Sequence, residues 1–291
     1  MSEKSVSKQI IRTTEDAVTK FNEGTAATET TILNSVKRKI RALEIDAQGN
    51  IKPTTANIKL IRTLREDINK IVVNKAYLNK VDKYLNAFGK VKGITDGFFK
   101  GISSKFNPNK LIFKEILNSS LEATKNSLTS AGINQNVIKP ITDLVTKSVT
   151  SGALIEDLEA DLTLTVKGNK ERLGGLERYV TQITRDAANQ YSRNYNEAIS
   201  ANLGMEWYYY SGSIIQDSRS YCVQRAGKYF HKLEVQDVPS QWDGRITGTN
   251  SSSIFINAGG YNCRHIWMPV LINVVPKNVI DRNIASGNYQ E

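Results

Sequence analysis

Both cysteines and both histidines of this 291-residue chain fall in one short window near its C-terminal end. Cys222, His231, Cys263 and His265 offer two thiols and two imidazoles, the types of group that a tetrahedral zinc site accepts. The sequence therefore predicts that the two cysteines meet in space, with His265 and His231 as the remaining candidate ligands. This arrangement requires the polar segment 232–254 to fold back on itself.

Two other interpretations of the cysteines stay open. The spacing C-x8-H-x31-C-x-H is not that of a standard zinc finger, and C-x-H makes a cramped chelate. One disulfide would use both thiols, and two buried free cysteines would pack as small apolar groups without any ligand. The cofactor prediction is accordingly a structural zinc ion, in competition with a disulfide and with free thiols.

Catalytic patterns are missing from the sequence. It has no phosphate-binding G-x-x-x-x-G-K-[ST] loop, no G-x-S-x-G elbow and no H-E-x-x-H helix. Cys222 paired with a histidine would be a conceivable thiol nucleophile, but the flanking sequences do not favour one. We therefore predict a protein that is not an enzyme.

The elements that must position the window are mostly helices. Apolar residues recur every third or fourth position up to Gly204, which predicts a helical region of about 200 residues. One stripe runs over 58–72 after a cap at Thr54 or Thr55, and the longest covers 176–203. The glycines of 89–101 predict a corner between two helices.

The longest predicted helix carries polar residues along its length. They have no acid–base pairing that would suggest catalysis, so we expect this face to be solvated or to contact a partner. These residues are Gln182, Arg185, Asn189, Arg193 and Asn194.

After Gly204 the sequence becomes aromatic and β-prone. It predicts a strand over 205–213, a short helix over 217–226 capped by Asp217 or Ser218, and a further strand over 252–260. The expected core residues are Trp207, Trp242, Phe255 and Trp267. The predicted fold class is mainly α, with a helical N-terminal region followed by a small α+β C-terminal module.

Charge is distributed unevenly. The chain has a net charge of +10, and residues 1–100 hold 19 Lys/Arg against 11 Asp/Glu, a local net charge of +8. Such an excess favours DNA or an acidic protein as partner. The alternative is a lysine-rich solvated surface balanced within the chain by the acidic segment 153–162.

No apolar run is long enough for a membrane span and the N-terminus lacks a secretion signal, so we expect synthesis in the cytoplasm and no membrane partner.

Several motifs occur in a familiar order. The long helix RYVTQITRDAANQYSRNYNEA is followed by an aromatic strand, then DSRSYC, GKYF, GGYNCRH and MPV. This order resembles the C-terminal domain of the phage Mu F-like minor head proteins, which act in head morphogenesis. The matching positions are Asp217, Arg219, Cys222, Gly227, Phe230, Asn262, Cys263, Arg264 and His265.

The resemblance implies domain boundaries and a role. It covers about 176–272, leaving a helical region at 1–175 and a tail at 273–291. It implies a virion component near the portal vertex that contacts the portal and other head proteins, in head assembly or genome delivery. Family members alternate between His and Cys at the positions of Cys222 and His265, which favours a metal over a disulfide. The commonest form of the family has Pro-Pro and a His just before Asn-Cys-Arg. In this chain the residues at 258–261, Ala-Gly-Gly-Tyr, stand in their place.

Two other functions remain as alternatives. The positive charge of residues 1–100 suits a DNA-binding protein that escorts the genome through the portal. A toxin domain is a third option, because Mu F-like modules are sometimes joined to effectors. Nothing in 1–175 resembles an effector, so we rank this option last.

Overall fold

The computed structural model describes residues 2–129 and 131–290. It is 66% helical with a small three-stranded antiparallel sheet in the C-terminal region, which confirms the predicted fold class. The helices of the first two thirds are α1 Glu3–Asn22, α2 Thr25–Ile40, α3 Thr55–Arg62, α4 Leu64–Val72, α5 Lys75–Ile102, α6 Leu111–Thr129, α7 Ala131–Ile133, α8 Lys139–Ser151, α9 Ile155–Lys167 and α10 Gly175–Leu203, with a π-helical turn at Asn134–Ile138.

The remainder of the chain alternates between strands and short helices. In chain order these are β1 Trp207–Ser211, α11 Ser220–Arg225, β2 Tyr229–His231, α12 Lys232–Gln236, α13 Ile254–Asn257, β3 Ile266–Val270 and α14 Lys277–Ala285, with a 3-10 turn at Ile272–Val274. No described strand precedes Trp207, so the expected helical region of about 200 residues and the switch after Gly204 are confirmed.

The chain forms two compact units from interleaved segments. One contains Met1–Val18, Leu85–Glu122 and Thr184–Glu291, and the other contains Thr19–Tyr84 and Ala123–Ile183. The predicted boundaries at 175/176 and 272/273 stay a prediction about the family domain, because the compact units divide the chain at other points.

In the unit containing Thr19–Tyr84, every described element is a helix apart from isolated bridges. Thr54 caps α3 by accepting a hydrogen bond from the Asn57 amide, as expected. Glu159, in the acidic segment, forms ion pairs with Lys37 and Arg41. The N-terminal basic excess is therefore balanced in part within this unit.

Helix α5 corrects one expectation. It runs unbroken through Gly89, Gly93, Gly97 and Gly101, where the sequence predicted a corner. Each glycine costs a helix about 1 kcal/mol relative to alanine. Burial of apolar side chains such as Phe99, which is fully buried, outweighs that cost.

The sheet in the other unit has the order β2-β1-β3, and both pairings are antiparallel. Trp207 pairs with His231 and Val270, whereas Tyr210 pairs with Trp267. Successive side chains of a strand point to opposite faces, so these two groups cover different sides of the sheet. We call them the tryptophan face (Trp207, Tyr229, His231, Val270, Val275, Val279) and the cysteine face (Tyr208, Tyr210, Cys222, Phe255, Cys263, His265, Trp267).

Three details of the C-terminal module differ from the sequence prediction. Residues 252–260 hold the short helix α13 rather than a strand, whereas 266–270, which was not predicted as a strand, forms β3. Helix α11 is capped at Arg219 rather than at Asp217 or Ser218.

The predicted core residues divide between the faces. Phe255 and Trp267 belong to the cysteine face, Trp207 belongs to the tryptophan face, and Trp242 is half-buried at the margin of the cysteine face.

Candidate metal centre

Cys222, Cys263 and His265 come together at one end of the sheet. Cys222 lies on α11, Cys263 in the turn after α13, and His265 immediately before β3. One ligand atom from each lies within 4.8 Å of the others, and all three side chains are buried. The sulfurs are 3.8 Å apart, and the Cys263 sulfur is 3.9 Å from His265 Nδ1. The cluster can therefore hold a metal ion, and the predicted meeting of the cysteines is confirmed.

His231 is a correction to the predicted ligand set. It lies on the tryptophan face, where its ring packs edge-on against Trp207 at 5.0 Å. Its Nδ1 accepts the Leu233 amide while its own amide donates to Glu234, which forms a capping box for α12. Pairing with Trp207 on β1 directs its side chain away from the cysteines.

A buried arginine anchors the chain around the cluster. Arg193 of α10 is 3% exposed, and its guanidinium donates to the carbonyls of His265, Ile256 and Cys263 at 2.9, 3.2 and 2.5 Å. Three residues along the helix, Asn196 donates to the Trp267 carbonyl. Helix α10 therefore covers the open edge of β3 and satisfies backbone groups that no strand pairs.

The turn before Cys263 depends on close backbone approach. A Cβ on Gly259 would fall 2.3 Å from the Cys222 sulfur and 2.9 Å from that of Cys263, so glycine is required there. Its carbonyl accepts hydrogen bonds from Arg219 and the Trp242 indole. Arg219 and Trp242 thereby fix the backbone that packs against the sulfurs.

The end of this turn is fixed by Asn262. It has a left-handed φ of 57°, and its amide donates to Asp186 of α10 at 2.9 Å. Burial raises the pKa of Asp186, while the bond from Asn262 opposes that shift. This contact adds a second link between α10 and the turn.

The two thiols are electrostatically unequal. Their mutual hydrogen bond, together with the positive charge of Arg193, lowers the pKa of Cys263 well below its usual value. The same hydrogen bond and burial raise the pKa of Cys222. The positive charge of Arg193 therefore favours a thiolate in this pair, and the thiolate is the form that binds a metal.

Tyr210 of β1 completes the surroundings of the cluster. Its ring stacks on His265 with centroids 5.0 Å apart and planes 5° apart. Its hydroxyl lies 3.4 Å from the Cys222 sulfur and 3.7 Å from the Cys263 sulfur. Burial, followed by the nearby sulfurs, raises the pKa of this phenol.

The cluster opens onto a cavity of about 260 Å³. Seven of the nine residues that carry the Mu F-like resemblance line it, and the other two, Gly227 and Phe230, do not. Gly227 forms the turn before β2 with φ 79°, and Phe230 packs edge-on against Trp267. The cavity is lined by Arg185, Ser213, Ile215, Asp217, Ser218, Arg219, Cys222, Asn262, Cys263, Arg264 and His265.

Two of the five polar residues of α10 were assigned the wrong environment from the sequence, whereas Gln182 is exposed as expected. Arg193 and Asn189 are buried rather than solvated, and Arg185 lines the cavity. The available signal was their spacing, since positions 185, 189 and 193 repeat every four residues and share a helix face. Tyr210 was missed as well, because one tyrosine of WYYY cannot be preferred without the strand register.

No protein-family model, no curated protein and no solved structure matches this chain. The resemblance to Mu F-like proteins therefore stays a prediction. Among the described helices, none has both the length and the apolar character needed to cross a membrane.

Proposed function

We propose that this chain is a minor structural protein of a tailed-phage head, located at the portal vertex and acting in head assembly or genome delivery. One observation carries the proposal. Seven motif positions, drawn from two segments that are separated in sequence (217–222 and 262–265), line a single cavity at the cysteine cluster. Motifs that match a family only by chance have no reason to converge in this way.

The contacts of the site favour a structural role over a catalytic one. The guanidinium groups of Arg193 and Arg219 donate to backbone carbonyls, and the carboxylate of Asp186 accepts a backbone amide. Groups used in this way position the chain around Cys263. We therefore propose a protein that is not an enzyme, with the portal and other head proteins as partners.

We further propose that the cysteine cluster holds a structural zinc ion. A zinc–sulfur distance of about 2.3 Å in a tetrahedron separates two sulfur ligands by about 3.8 Å. The observed separation of Cys222 and Cys263 is 3.8 Å. The amide of His265 also points to the Cys263 sulfur at 3.4 Å, a contact that stabilises a thiolate.

The location is tested on purified particles of the phage that encodes the chain. Mass spectrometry before and after DNA release should find the chain in full particles. Loss of the chain from the particles after DNA release would indicate that it is ejected with the genome. Retention of the chain would indicate a fixed head component. Finding the chain only in infected-cell lysate would refute a place in the virion. Binding of the purified chain to isolated portal oligomers should be saturable.

The metal is tested by elemental analysis of protein purified without an affinity tag. We expect about one zinc per chain, because structural sites bind tightly. Less than about 0.2 zinc per chain would contradict the metal, since a site of that kind would not lose its ion on purification. Thiol titration after unfolding then separates free cysteines from a disulfide.

Escort of DNA is the second candidate, and it rests on the net charge of +8 in residues 1–100. Neutralised phosphates release counterions, so affinity should fall linearly with the logarithm of salt concentration. Replacing the exposed Lys8, Arg12 and Lys20 of α1 by glutamine should weaken binding and reduce that slope. The matched control replaces three exposed lysines outside the basic region, Lys147, Lys170 and Lys277. Absent or salt-insensitive binding would eliminate this candidate.

A further inference from the structure

We propose that the hydroxyl of Tyr210 is the fourth ligand of the metal ion, giving a closed Cys222–Cys263–His265–Tyr210 site. This inference rests on the zinc ion proposed above and adds a ligand from outside the groups that the sequence singled out. It assigns to this chain a metal site with two thiolates, one imidazole and one phenolate.

The distances support a tetrahedron. With zinc–sulfur bonds of about 2.3 Å and zinc–nitrogen or zinc–oxygen bonds of about 2.0–2.1 Å, a sulfur lies about 3.5–3.6 Å from a nitrogen or oxygen ligand. The Tyr210 oxygen lies 3.4 and 3.7 Å from the two sulfurs. His265 Nδ1 lies 3.9 Å from the Cys263 sulfur. The sulfur–sulfur edge and the two sulfur–oxygen edges therefore match the tetrahedron to within about 0.2 Å, and the edge to His265 is longer by about 0.3–0.4 Å.

The position of the phenol is enforced by the fold. Tyr210 is fully buried, and its pairing with Trp267 directs its side chain to the cysteine face. The parallel stack on His265 holds both rings in one relative orientation. The backbone at Gly212 also packs closely against His265, because a Cβ there would lie 2.3 Å from the imidazole. Both donors are therefore held in place before any metal binds.

Charge balance also favours this ligand set. Zinc with two thiolates, one phenolate and a neutral imidazole has a net charge of −1, after the two thiols and the phenol each release a proton. The buried guanidinium of Arg193, which donates to the Cys263 and His265 carbonyls, supplies a compensating positive charge. A buried charge of one sign is tolerated when its partner lies beside it.

The main experiment compares two tyrosine variants. Tyr210→Phe removes only the hydroxyl, and Tyr221→Phe is the matched control, since Tyr221 is buried in the same cluster with its ring 6.2 Å from that of Tyr210. Zinc affinity is measured by competition with a chromogenic chelator. We expect the dissociation constant of Tyr210→Phe to rise by at least about 100-fold, the upper end of what loss of an outer-shell partner costs, and that of Tyr221→Phe to stay near the wild-type value.

A second measurement on the wild-type chain covers the case in which Tyr210→Phe fails to fold. Titration of the apoprotein with zinc should produce near-ultraviolet tyrosinate absorption that saturates at one equivalent. In the cobalt-substituted protein, the visible spectrum should not respond to added acetate or inorganic phosphate, because no coordination position is open.

The outcomes separate this inference from the proposals on which it depends. Zinc binding without tyrosinate absorption would make Tyr210 a hydrogen-bond donor to the thiolates and would overturn the inference while leaving the zinc in place. A cobalt spectrum that changes with anions would place the fourth ligand in the cavity instead, with the same consequence. A wild-type chain that binds no zinc would refute both metal proposals, and the particle analysis would still decide the role in the virion.

Discussion

The two faces of the C-terminal sheet are covered by different kinds of structure. On the tryptophan face, Val275 and Val279 of the α14 region pack on Trp207 and Val270. A helix satisfies most of its own backbone groups, so α14 is held there by side-chain contacts: this apolar packing and the bonds from Arg282 and Asn283 to the Glu234 carboxylate. The cysteine face is covered by α11 and by the segment 237–265. This segment is irregular apart from α13, and its carbonyls need partners from elsewhere.

The comparison explains where side chains donate to backbone carbonyls. Arg193, Arg219 and Trp242 all donate to carbonyls of the segment that covers the cysteine face. A cross-link through a metal would fix the same segment, as metals do in small folds with little regular structure. The two histidines follow this division, since His265 lies in the cluster and His231 caps a helix on the tryptophan face.

The largest expected effect comes from His265→Ala. If the cysteine face depends on a metal, zinc content should fall to near zero and the free energy of unfolding should drop by more than about 3 kcal/mol, since structural zinc contributes strongly to folding. The measurements are elemental analysis and urea unfolding. Equal zinc content in His265→Ala and wild type would remove the proposed basis for the difference between the faces.

The next effect is expected for Arg193→Met. This change leaves three carbonyls without their charged donor. Hydrogen bonds to charged groups contribute about 1.5–3 kcal/mol each to stability. Part of this loss is cancelled because burying methionine costs less desolvation free energy than burying arginine. We expect a loss of about 3–5 kcal/mol in urea unfolding. Arg12→Met is the control, because the Arg12 side chain is 85% exposed and its loss should change little. A loss below about 1 kcal/mol would mean that the segment holds its shape without the anchor.

A smaller effect is expected for His231→Ala on the tryptophan face. The variant loses the side-chain half of the capping box and the edge contact with Trp207, so stability should fall by about 1–2 kcal/mol. Zinc content should equal that of the wild type. Loss of zinc in His231→Ala would return this histidine to the ligand set and contradict the assignment of the two faces.

The smallest effect concerns pH. Burial lowers the pKa of His231, against the opposing influence of Glu206 and Glu234. The unfolded chain then binds a proton more readily than the folded one, so stability is complete above the unfolded pKa of about 6.5 and falls as pH drops through it. His231→Asn keeps a capping side chain without this titration and should flatten the pH dependence of stability between about pH 7 and 5. Metal-free protein is used for both chains, because metal release also depends on pH.

The sequence predicted the helical region and the meeting of Cys222, Cys263 and His265, since helical periodicity and rare residue types are visible without a fold. It did not predict that Tyr210, rather than His231, lies beside this cluster. The parity of their strand positions places the side chains of His231 and Tyr210 on opposite faces of the sheet. A shift of one residue in the strand register would exchange these faces. That parity follows from the pairing of β1 with β2 and β3, which is a long-range property.

The helices show a similar limit. The polar stripe that includes Arg193 was visible, but its burial depends on the carbonyls of residues 256–265 across the fold. The glycines of α5 predicted a corner from local propensity, and burial of residues such as Phe99 outweighed it. Local signals predicted most of the helices but not α13 or β3, and long-range packing decided which polar groups are inside.

The hydrogen bond between Glu3 and Tyr229 has a consequence for biosynthesis. The Tyr229 hydroxyl donates to the Glu3 carboxylate at 2.7 Å across 226 residues of chain, and the ammonium of Lys4 lies 5.6 Å from the Tyr229 ring. Helix α1 leaves the ribosome long before its partner residue exists. At about 5–20 residues per second the wait lasts about 10–50 s, during which the apolar side of α1 needs temporary cover. Such a delay makes the nascent chain a candidate client for chaperones, and its completion a late, post-synthetic folding step.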